Sequence, residues 1–585
     1  MCGILFSLQA IESDASNHSQ SSQLDCLLPR LQAATTFRGP DAQDTIHCEV
    51  EQLSLTFSAS ELRLRGTAFI NQPHTDEAGN ILCWNGEVFE GLDVGADEND
   101  GARLFSSLTK SHTQEDVSRI FGSIEGPYAF LFYDRASHRV YFGRDPLGRR
   151  SLLIHYPDEF NPYFLLASVS AGSDAGYALE EISTGHIYCL DIRRLAFLNN
   201  ILEVRSCVTP VSRTIYTVDL PFAQPSAVHR TIQDDPPQVQ TLDDIPPHLS
   251  TAVDDLIAQL DRSVMLRICS IPRRDTAPGQ ARVAVFFSGG IDSTMIAFLA
   301  DRHIAPEEPI DLLNVAFENP RKIAVKVEGN VYGLPKREKK QKLRDPLDYS
   351  TVKVMYDVPD RLTGVQEVEE LRRLCPRRTW NFLEINVPYE ESRNARAAVE
   401  ALMFPSRTVM DLSLAIALYF AARGVGQIRL RPGAEPQAYT SPARVLLNGL
   451  GSDELLGGYG RHRTAFKAGG WQAVIDELQL EIDRIPTRNL GRDDRVISSW
   501  GKETRHPFLS LSVVNFLAQL PVHLKMDPRL EQGIGEKLLL RLAARKVGLV
   551  EASGRKKRAM QFGSHSARMA PGENDRKGDV CLDDR

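Results

Sequence analysis

The 585-residue sequence predicts a two-domain protein, α+β in its first part and α/β in the remainder. Three observations predict this fold class. Short alternating apolar runs, separated by turn residues, occupy about the first 210 positions. A stretch rich in Pro, Asp and Gln and without periodicity follows at 213–247, and we interpret it as a linker. Beyond it, apolar strands alternate with helices, which is the pattern of a parallel sheet.

The N-terminal domain, predicted over 1–212, is expected to be an antiparallel β-sandwich flanked by helices. The runs "LSLTFSAS", "NILCWNGEVF", "YAFLFYDR" and "RVYFGRD" have strand composition, and Gly, Asn, Asp and Pro separate them. Closely spaced strands of this kind favour two stacked antiparallel sheets.

The C-terminal domain, predicted over 248–565, is expected to be a doubly wound parallel sheet. A helix is predicted with Ser250 as its N-cap, because Val253, Leu260 and Val264 share one helical face. The segment "RVAVFFSGGIDSTMIAFLA" then predicts a buried strand, a tight turn and an apolar helix, which is one βα unit.

Two segments lie outside this scheme. The polar end, 566–585, is predicted to be disordered. The basic stretch 336–344 has two interpretations, a nuclear-import or nucleic-acid patch and a solvated loop, of which the loop is favoured.

Bulk composition indicates which classes of partner to expect. With a net charge of -8 and a pI near 6.0, the chain is not expected to bind nucleic acid or a membrane. Its nine cysteines are scattered and form no C-x-x-C pair, which favours a reducing compartment. We therefore predict a cytoplasmic protein, with a nuclear location and a homodimer as open alternatives.

The loop "SGGIDS", from Ser288 to Ser293, is the most informative motif of the C-terminal domain. It joins a predicted buried strand to a helix N-terminus, where free backbone N–H groups face an anion such as phosphate. The glycines allow close approach, and the serines add hydroxyl donors. Asp292 would repel phosphate unless a cation bridged the two, so the loop predicts Mg²⁺ as well.

A second carboxylate is expected at the same place. "LLNGLGSDELLGGY" also follows an apolar strand and brings Asp453 to the strand's end. Since ligands bind at the carboxyl edge of open α/β sheets, Asp292 and Asp453 are predicted to share one Mg²⁺.

Cys2 has two interpretations. It is either a small core cysteine of a first strand or, once Met1 is removed, a residue that carries a thiol and a free α-amine together. An α-amine of pKa ~8 is able to take the proton of a thiol of pKa ~8.5. The second interpretation therefore predicts a nucleophile that needs no histidine.

These motifs resemble one known family. "SGGIDS" resembles the PP-loop of enzymes that split ATP to AMP and pyrophosphate, and "GSDELLGGY" resembles the second signature of glutamine-hydrolysing asparagine synthetases. "NLGRDDRVISSWGKETRHPFL" and "EKLLLRLAARKVGL" continue the resemblance in order, and the combination is most similar to the branch of asparagine synthetase domain-containing proteins. The resemblance implies a PP-loop ATP pyrophosphatase domain preceded by a class II glutaminase of the N-terminal-nucleophile type.

The start of the chain resembles that glutaminase. The family begins M-C-G-I, and "RGPD", "WNGEVF" and "ENDGARLF" match later pieces of its pattern. The resemblance implies that Cys2 attacks glutamine, that Asn85 and Gly86 hold the oxyanion, and that Asp100 receives the α-ammonium group of glutamine. The glutamine site it implies consists of Arg63, Arg65, Asn85, Gly86, Glu87 and Asp100.

The resemblance also implies the second half of the reaction. An acid, aspartate in the family, would be adenylated by ATP with Mg²⁺ on Asp292 and Asp453, and ammonia from glutamine would then amidate it. The ATP site it implies consists of Ser288, Gly289, Gly290, Asp292, Ser293, Phe317, Asn448 and Gly449.

Three positions depart from the family pattern. Glu61 stands where the family has an arginine for the carboxylate of glutamine, so Arg63 or Arg65 is expected to replace it. Leu450 stands at a catalytic glutamate, and Ala559 stands at a family lysine, for which Lys557 or Arg558 is the expected substitute. Three hypotheses follow: an asparagine synthetase, a nucleotide-binding or regulatory relative without that activity, and a ligase for a different carboxylic acid.

Overall fold

The structure is a computed structural model. It describes residues 3–11, 18–68, 70–174, 176–233, 235–273, 277, 279–320, 356–431, 433–567, 569 and 580–582. Cys2 and the basic stretch 336–344 lie outside the described residues.

Two six-stranded antiparallel sheets form the N-terminal sandwich. The first has the order β10-β8-β9-β1-β3-β2, and the second has the order β12-β11-β7-β6-β5-β4. Apolar residues of both sheets, among them Phe6, Phe57 and Phe142, meet in one core between them. The strands are β1 (Gly3–Ala10), β2 (Ala42–Val50), β3 (Leu53–Glu61), β4 (His74–Thr75), β5 (Ile81–Gly86), β6 (Tyr128–Asp134), β7 (Arg139–Arg144), β8 (Leu153–His155), β9 (Tyr163–Ala167), β10 (Glu180–Glu181), β11 (His186–Asp191) and β12 (Val208–Ser212).

Helices cover the outer faces of the sandwich. Helix α1 (His18–Arg38) packs Leu24, Leu27 and Leu31 on the first sheet. Helices α2 (Asp100–Leu108) and α3 (Gln114–Ser123) pack on the second sheet around Trp84 and Phe130. Three short helices close the domain: α4 (Ile192–Leu198), a 3₁₀ turn at Ile201–Glu203, and α5 (Val204–Cys207). The predicted sandwich with flanking helices is confirmed.

A seven-stranded sheet organises the C-terminal domain. Its order is β17-β16-β15-β14-β13-β18-β19, and neighbouring strands from β15 to β19 run parallel. Strand β16 runs antiparallel to both of its neighbours, β15 and the edge strand β17, so the sheet is mixed rather than wholly parallel as expected. The strands are β13 (Val283–Phe286), β14 (Ile310–Phe317), β15 (Trp380–Val387), β16 (Val425–Ile428), β17 (Gln437–Thr440), β18 (Val445–Leu447) and β19 (Glu503–Arg505).

Successive residues of the central strands enter two different cores. Val283 and Val285 join the core on one face, whereas Ala284 and Phe286 join the core on the other. Such near-continuous apolar strands are expected of a sheet covered on both faces. The helices are α6 (Pro247–Ile268), α7 (Ile291–Asp301), α8 (Pro359–Leu374), α9 (Tyr389–Met403), α10 (Val409–Arg423), α11 (Ser452–Leu456), α12 (Gly460–Arg488), α13 (Leu490–Ser498), a 3₁₀ turn at Pro507–Leu509, α14 (Leu511–Gln519), α15 (Val522–Lys525), α16 (Leu538–Lys546), α17 (Val550–Ser553) and α18 (Met560–Gly563).

Two details of the chain path differ from expectation. Helix α6 begins at Pro247, so Ser250 lies inside the helix rather than at its N-cap; proline suits a first turn because it has no N–H to leave unpaired. Within the predicted tail, 566–585, the described Met569 is buried, and the N–H of Leu582 donates to the carbonyl of Arg407.

The segment between β12 and α6 lies on the C-terminal domain. Val228, Val239 and Leu242 are buried in its core. The N–H of Val228 donates to Gln479 Oε1 at 2.8 Å. This segment, predicted as a linker from its composition, therefore contributes apolar packing of its own.

The two domains share a buried, charged interface. Asp494 accepts from Arg38 at 2.8 Å and lies 3.4 Å from Arg150, and both arginines belong to the N-terminal domain. Arg149 donates to the carbonyl of Leu509 at 2.7 Å. Since an ion in a low-dielectric interior must be paired, each domain supplies charges that the other requires.

The described cysteines form no disulfide with one another. Among the described residues, no helix combines the length and the apolar character that crossing a bilayer requires.

Candidate active sites

A cavity of about 290 Å³ lies at the carboxyl edge of the seven-stranded sheet. It opens between β13 and β18, where the strand order reverses direction, which is the usual place for ligands in such sheets. The loops after these two strands line it, together with α10, α13 and the segment before α18. Among the residues predicted for ATP and Mg²⁺, it is lined by Ser288, Asp292, Ser293, Asn448, Gly449 and Asp453.

The first loop turns sharply into α7. Gly289 has a φ of +71°, and a Cβ there would lie 2.4 Å from the backbone nitrogen of Gly364, so only glycine fits. The hydroxyl of Ser293 donates to the carbonyl of Gly290 at 3.1 Å. Asp292 therefore stands in the first turn of α7, with the loop's backbone beside the cavity.

The second loop touches the first. A Cβ on Gly449 would lie 2.9 Å from Cβ of Asp292, so the two loops are in contact there. The N–H of Asn448 donates to the carbonyl of Arg505 at 2.9 Å, which fixes the loop to strand β19. Together the two loops bring Asp292 and Asp453 to one point.

Lys537 lies at that point. The ammonium Nζ of Lys537 lies 2.6 Å from Asp292 Oδ2, 2.7 Å from Asp453 Oδ1 and 2.9 Å from Ser452 Oγ. Two carboxylates that converge on one cationic atom fit a bridging cation. Among the described residues there is no group of three or more His, Cys, Asp or Glu that could hold a metal ion.

Lys557 contacts the second of these acids from the opposite side, at Asp453 Oδ2. Although burial opposes ionisation, the ammonium groups of Lys537 and Lys557 hold the pKa of Asp453 well below its usual range. The acid is therefore ionised, and two lysines surround it.

The cavity also contains the departures from the family pattern. Leu450, Ala559 and Arg558 all line it. Asp360 also lines the cavity. Burial raises its pKa to about 7, against the opposing effect of Arg558 and Lys557. Phe317 is not among the lining residues: its ring packs in the core, 5.8 Å from the ring of Phe420, so the structure does not bring it to the cavity.

The N-terminal candidate site lies at the end of β5. Asn85 is fully buried opposite Ala129, and Gly86 ends the strand opposite Tyr128. The N–H of Glu87 then donates to the carbonyl of Pro127 at 3.0 Å. The predicted oxyanion residues are thus held on a rigid strand rather than on a free loop.

Two acids are buried beside these residues. Asp100 accepts from the N–H of Val88 at 2.8 Å, and Glu87 lies 3.6 Å from Arg65 and 3.3 Å from Arg505. Burial and the charge of Asp100 raise the pKa of Glu87 to about 7. Burial also raises the pKa of Asp100, with Arg65 opposing it.

Glu61 and its substitutes lie close by on the first sheet. Glu61 is buried at the end of β3, and its Oε2 lies 3.0 Å from Nε of Arg63. Burial raises the pKa of this acid, and Arg63 opposes the shift. Arg65 donates instead to the carbonyl of Val88 at 2.5 Å. Both arginines expected to receive the carboxylate of glutamine thus already have partners within the protein.

Strand β1 leads to this region, since Gly3 pairs with Ser60, the residue before Glu61. The predicted nucleophile Cys2 precedes Gly3 and lies outside the described residues. Its role stays a prediction.

Arg505 connects the two candidate sites. Its carbonyl accepts from Asn448 at the cavity, and its guanidinium lies 3.3 Å from Glu87 of the N-terminal domain. Arg505 and Lys537 lie in segments that resemble the family, but the sequence alone predicts no role for either. Only the fold brings each of them to a site.

Known proteins resemble this chain in sequence. The asparagine synthase family model matches residues 275–329 and 465–577. Asparagine synthetase domain-containing protein 1 of Bos taurus is 36% identical, over 99% of this chain and 97% of its own length. A relative in Methanocaldococcus jannaschii, provisionally named a glutamine-hydrolysing asparagine synthetase, is 24% identical over 83% of this chain and 73% of its own.

Among solved structures, glutamine phosphoribosylpyrophosphate amidotransferase from Bacillus subtilis is 12% identical. It covers 58% of this chain and 70% of its own, with a TM-score of 0.26, which is too low to support an argument.

Proposed function

Because the chain belongs to the family of asparagine synthetase domain-containing protein 1, we propose that it is an ATP-dependent amidotransferase that uses glutamine as its nitrogen donor. The acceptor is aspartate or a related carboxylic acid. The C-terminal cavity would adenylate this acid, and the N-terminal site would release the ammonia that amidates it.

One observation carries the proposal. Two loops that follow neighbouring parallel strands meet at one cavity, and their carboxylates, Asp292 and Asp453, converge within 2.7 Å of a single cationic atom. A tight loop at a helix N-terminus suits phosphate, and paired carboxylates at such a loop suit Mg²⁺. Mg²⁺ bound there would neutralise charge on the pyrophosphate of ATP.

The proposed reaction in the cavity has two steps. A carboxylate oxygen of the acceptor attacks the α-phosphorus of ATP, and the bond to pyrophosphate breaks. Ammonia then attacks the acyl carbon, AMP leaves with the shared oxygen, and a proton is lost from nitrogen. Ser288, Ser293 and the loop N–H groups would hold the phosphates, while Lys537 and Lys557 supply positive charge beside them.

The N-terminal half supplies the ammonia in this proposal. The Cys2 thiolate would attack the amide carbon of glutamine, with its α-amine taking the thiol proton and later giving it to the departing ammonia. Water would then hydrolyse the resulting thioester, which releases glutamate and restores the thiol. The side-chain amide of Asn85 and the N–H of Gly86 would hold the oxyanion. Asp100 would receive the α-ammonium group. The ammonia would then pass through the protein to the cavity.

A second candidate function is favoured by three side chains. Leu450 and Ala559 line the cavity and cannot donate, accept or ligate, and Glu61 already pairs with Arg63. A relative that binds nucleotide and serves a regulatory role without adenylating an acid would tolerate all three. The same apolar side chains would also suit a ligase whose acceptor differs from aspartate.

An exchange assay separates these functions. Full-length protein with ATP, Mg²⁺ and a panel of carboxylic acids should convert labelled pyrophosphate into ATP only with the acceptor acid. Glutamine hydrolysis is measured beside it on the wild type and on Cys2→Ala, which should lose it. Nucleotide binding without exchange for any acid would instead support the regulatory relative, and exchange with an acid other than aspartate would identify the different ligase.

We propose small-molecule partners only: glutamine, ATP and the acceptor acid. A cytoplasmic location and a homodimer belong to the same proposal, and sedimentation of the purified full chain tests the dimer.

A further inference from the structure

Lys537 occupies the position that a bridging metal ion would take. Its Nζ lies between the two acids: it donates to both carboxyl oxygens of Asp292 and, at 2.9 Å, to Ser452 Oγ, and it lies 2.7 Å from Asp453 Oδ1. The side chain is only 3% exposed, and the backbone holds a φ of +54° at the start of α16. The ammonium is therefore fixed in place and is not a mobile surface charge.

Charge balance at this point is already complete. Asp292 and Asp453 contribute two negative charges, and Lys537 with Lys557 contributes two positive charges. A divalent cation on the same oxygens would have to displace the Lys537 ammonium and would leave two positive charges in excess. Charges of the same sign held close together repel one another, and a partly buried site screens them less than water does.

A nucleotide changes this balance. The triphosphate brings about four negative charges and a set of oxygens that accept from displaced ammonium groups. Mg²⁺ also prefers to be held by one or two carboxylates together with phosphate oxygens. The displaced lysines would therefore gain phosphate partners at the moment when the metal takes over the carboxylates.

We infer that Lys537, assisted by Lys557, keeps a free divalent cation out of the cavity, so that the metal enters only as its complex with a nucleoside triphosphate. The two lysines are positioning residues that pass from the carboxylates to the phosphates when the complex binds. This inference rests on the proposed nucleotide site.

The test uses Mn²⁺ as the probe and the full-length protein, with electron paramagnetic resonance reporting the free Mn²⁺. Wild type should bind Mn²⁺ alone at least tenfold more weakly than Lys537→Met does. Lys537→Arg retains the charge and should resemble wild type. Lys537→Met combined with Asp453→Asn should lose the gained site, which shows where Mn²⁺ binds.

Lys557→Met provides a second, less buried variant, since this side chain is 33% exposed. It should strengthen Mn²⁺ binding about threefold, and it tests the inference even if Lys537→Met does not fold. Wild type that binds Mn²⁺ alone as tightly as both methionine variants overturns the inference.

A separate arm tests the proposed nucleotide site. Wild type with Mn²⁺ and α,β-methylene-ATP, whose bridged phosphates cannot be split, should bind the analogue, and equilibrium dialysis should show Mn²⁺ retained with it. If the analogue fails to bind while the lysine variants behave as expected, the proposed function fails and the metal exclusion stands. If the analogue binds and Mn²⁺ alone also binds tightly to wild type, only the exclusion fails.

Discussion

The two candidate sites differ in how their buried carboxylates are compensated. In the C-terminal cavity, Asp292 and Asp453 lie against Lys537, and the pKa of Asp453 falls despite burial. In the N-terminal site, Glu87 and Asp100 lie near one another, and burial raises the pKa of both. The cavity therefore holds one acid, Asp453, that its lysines keep ionised, whereas burial drives both acids of the N-terminal site toward neutrality.

This difference indicates how each site can receive a substrate. In the cavity, Lys537 and Lys557 contact carboxylates that a metal ion would bind. Once a metal ion replaced them there, their ammonium groups would be able to contact a phosphate. In the N-terminal site the arginines are engaged by the protein, Arg63 by Glu61 and Arg65 by the carbonyl of Val88. A carboxylate entering there would have to compete with these contacts.

The largest expected effect comes from the residue that touches both sites. Arg505→Met should lower the free energy of unfolding by about 3–5 kcal/mol, because it removes a buried cation that Glu87 and Glu503 share. Urea unfolding followed by fluorescence measures the change. The matched control is Arg262→Met, which breaks a more exposed bridge to Glu90 across the same interface and should cost less than about 1 kcal/mol. Equal losses in the two variants would contradict this explanation.

Asp292→Asn should produce the next largest effect, and it acts on the cavity alone. Losing one of two carboxylates that converge on the cation position should reduce acid-dependent pyrophosphate exchange by about 100-fold or more. Glutamine hydrolysis should change by less than about twofold in the same variant. Asp476→Asn, an exposed acid of α12, is the control and should leave both rates unchanged. A parallel loss of both activities would show that the sites do not separate as described.

Much of the fold was predictable because it depends on local pattern. The runs that became β3, β5, β6 and β7 have strand composition and are buried along most of their length, and the strand before Ser288 is apolar on both faces. The antiparallel strand β16 was not predicted, because "VGQI" has neither strong alternation nor an apolar run.

The candidate sites were predictable only where a motif carries the chemistry within a few residues. Asp292 and Asp453 each follow a strand, so their meeting follows from the topology. Lys537 and Arg505 lie in segments that resemble the family, but no role for either follows from its neighbours in the sequence. Each contacts an acid that is distant in the sequence, Asp453 for Lys537 and Glu87 for Arg505. No local periodicity encodes such a contact, since it depends on how the sheet and the domains are assembled.

The pH dependence of stability should separate the two sites further. An acid whose pKa is higher in the folded state than in the unfolded chain binds protons on folding, so stability falls as pH rises through the interval between the two values. For Glu87 that interval runs from its ordinary value of about 4.5 to about 7. Relative to Glu87→Gln, wild type should therefore lose about 2 kcal/mol of unfolding free energy between pH 5 and pH 8.

Chemical denaturation at several pH values measures this difference. Glu115→Gln is the control, because this acid is exposed on α3 and its removal should leave the pH profile of wild type in place. A Glu87→Gln profile parallel to that of wild type would show that Glu87 remains ionised on folding. Burial would then not drive this acid of the N-terminal site toward neutrality.

The smallest expected effect concerns Glu61, the departure that engages Arg63. Glu61→Gln keeps the shape of the side chain and its ability to accept a hydrogen bond, but it removes the negative charge 3.0 Å from the arginine. Arg63 then offers its full charge to a substrate carboxylate, so the KM for glutamine should fall about threefold to tenfold. The kcat should stay nearly constant, because the gain is uniform binding and not transition-state binding. Glu51→Gln, an exposed acid between β2 and β3, should leave KM unchanged. A KM that rises in Glu61→Gln would instead assign Glu61 a direct part in holding glutamine, and the N-terminal site would then bind its substrate through an acid where the family uses an arginine.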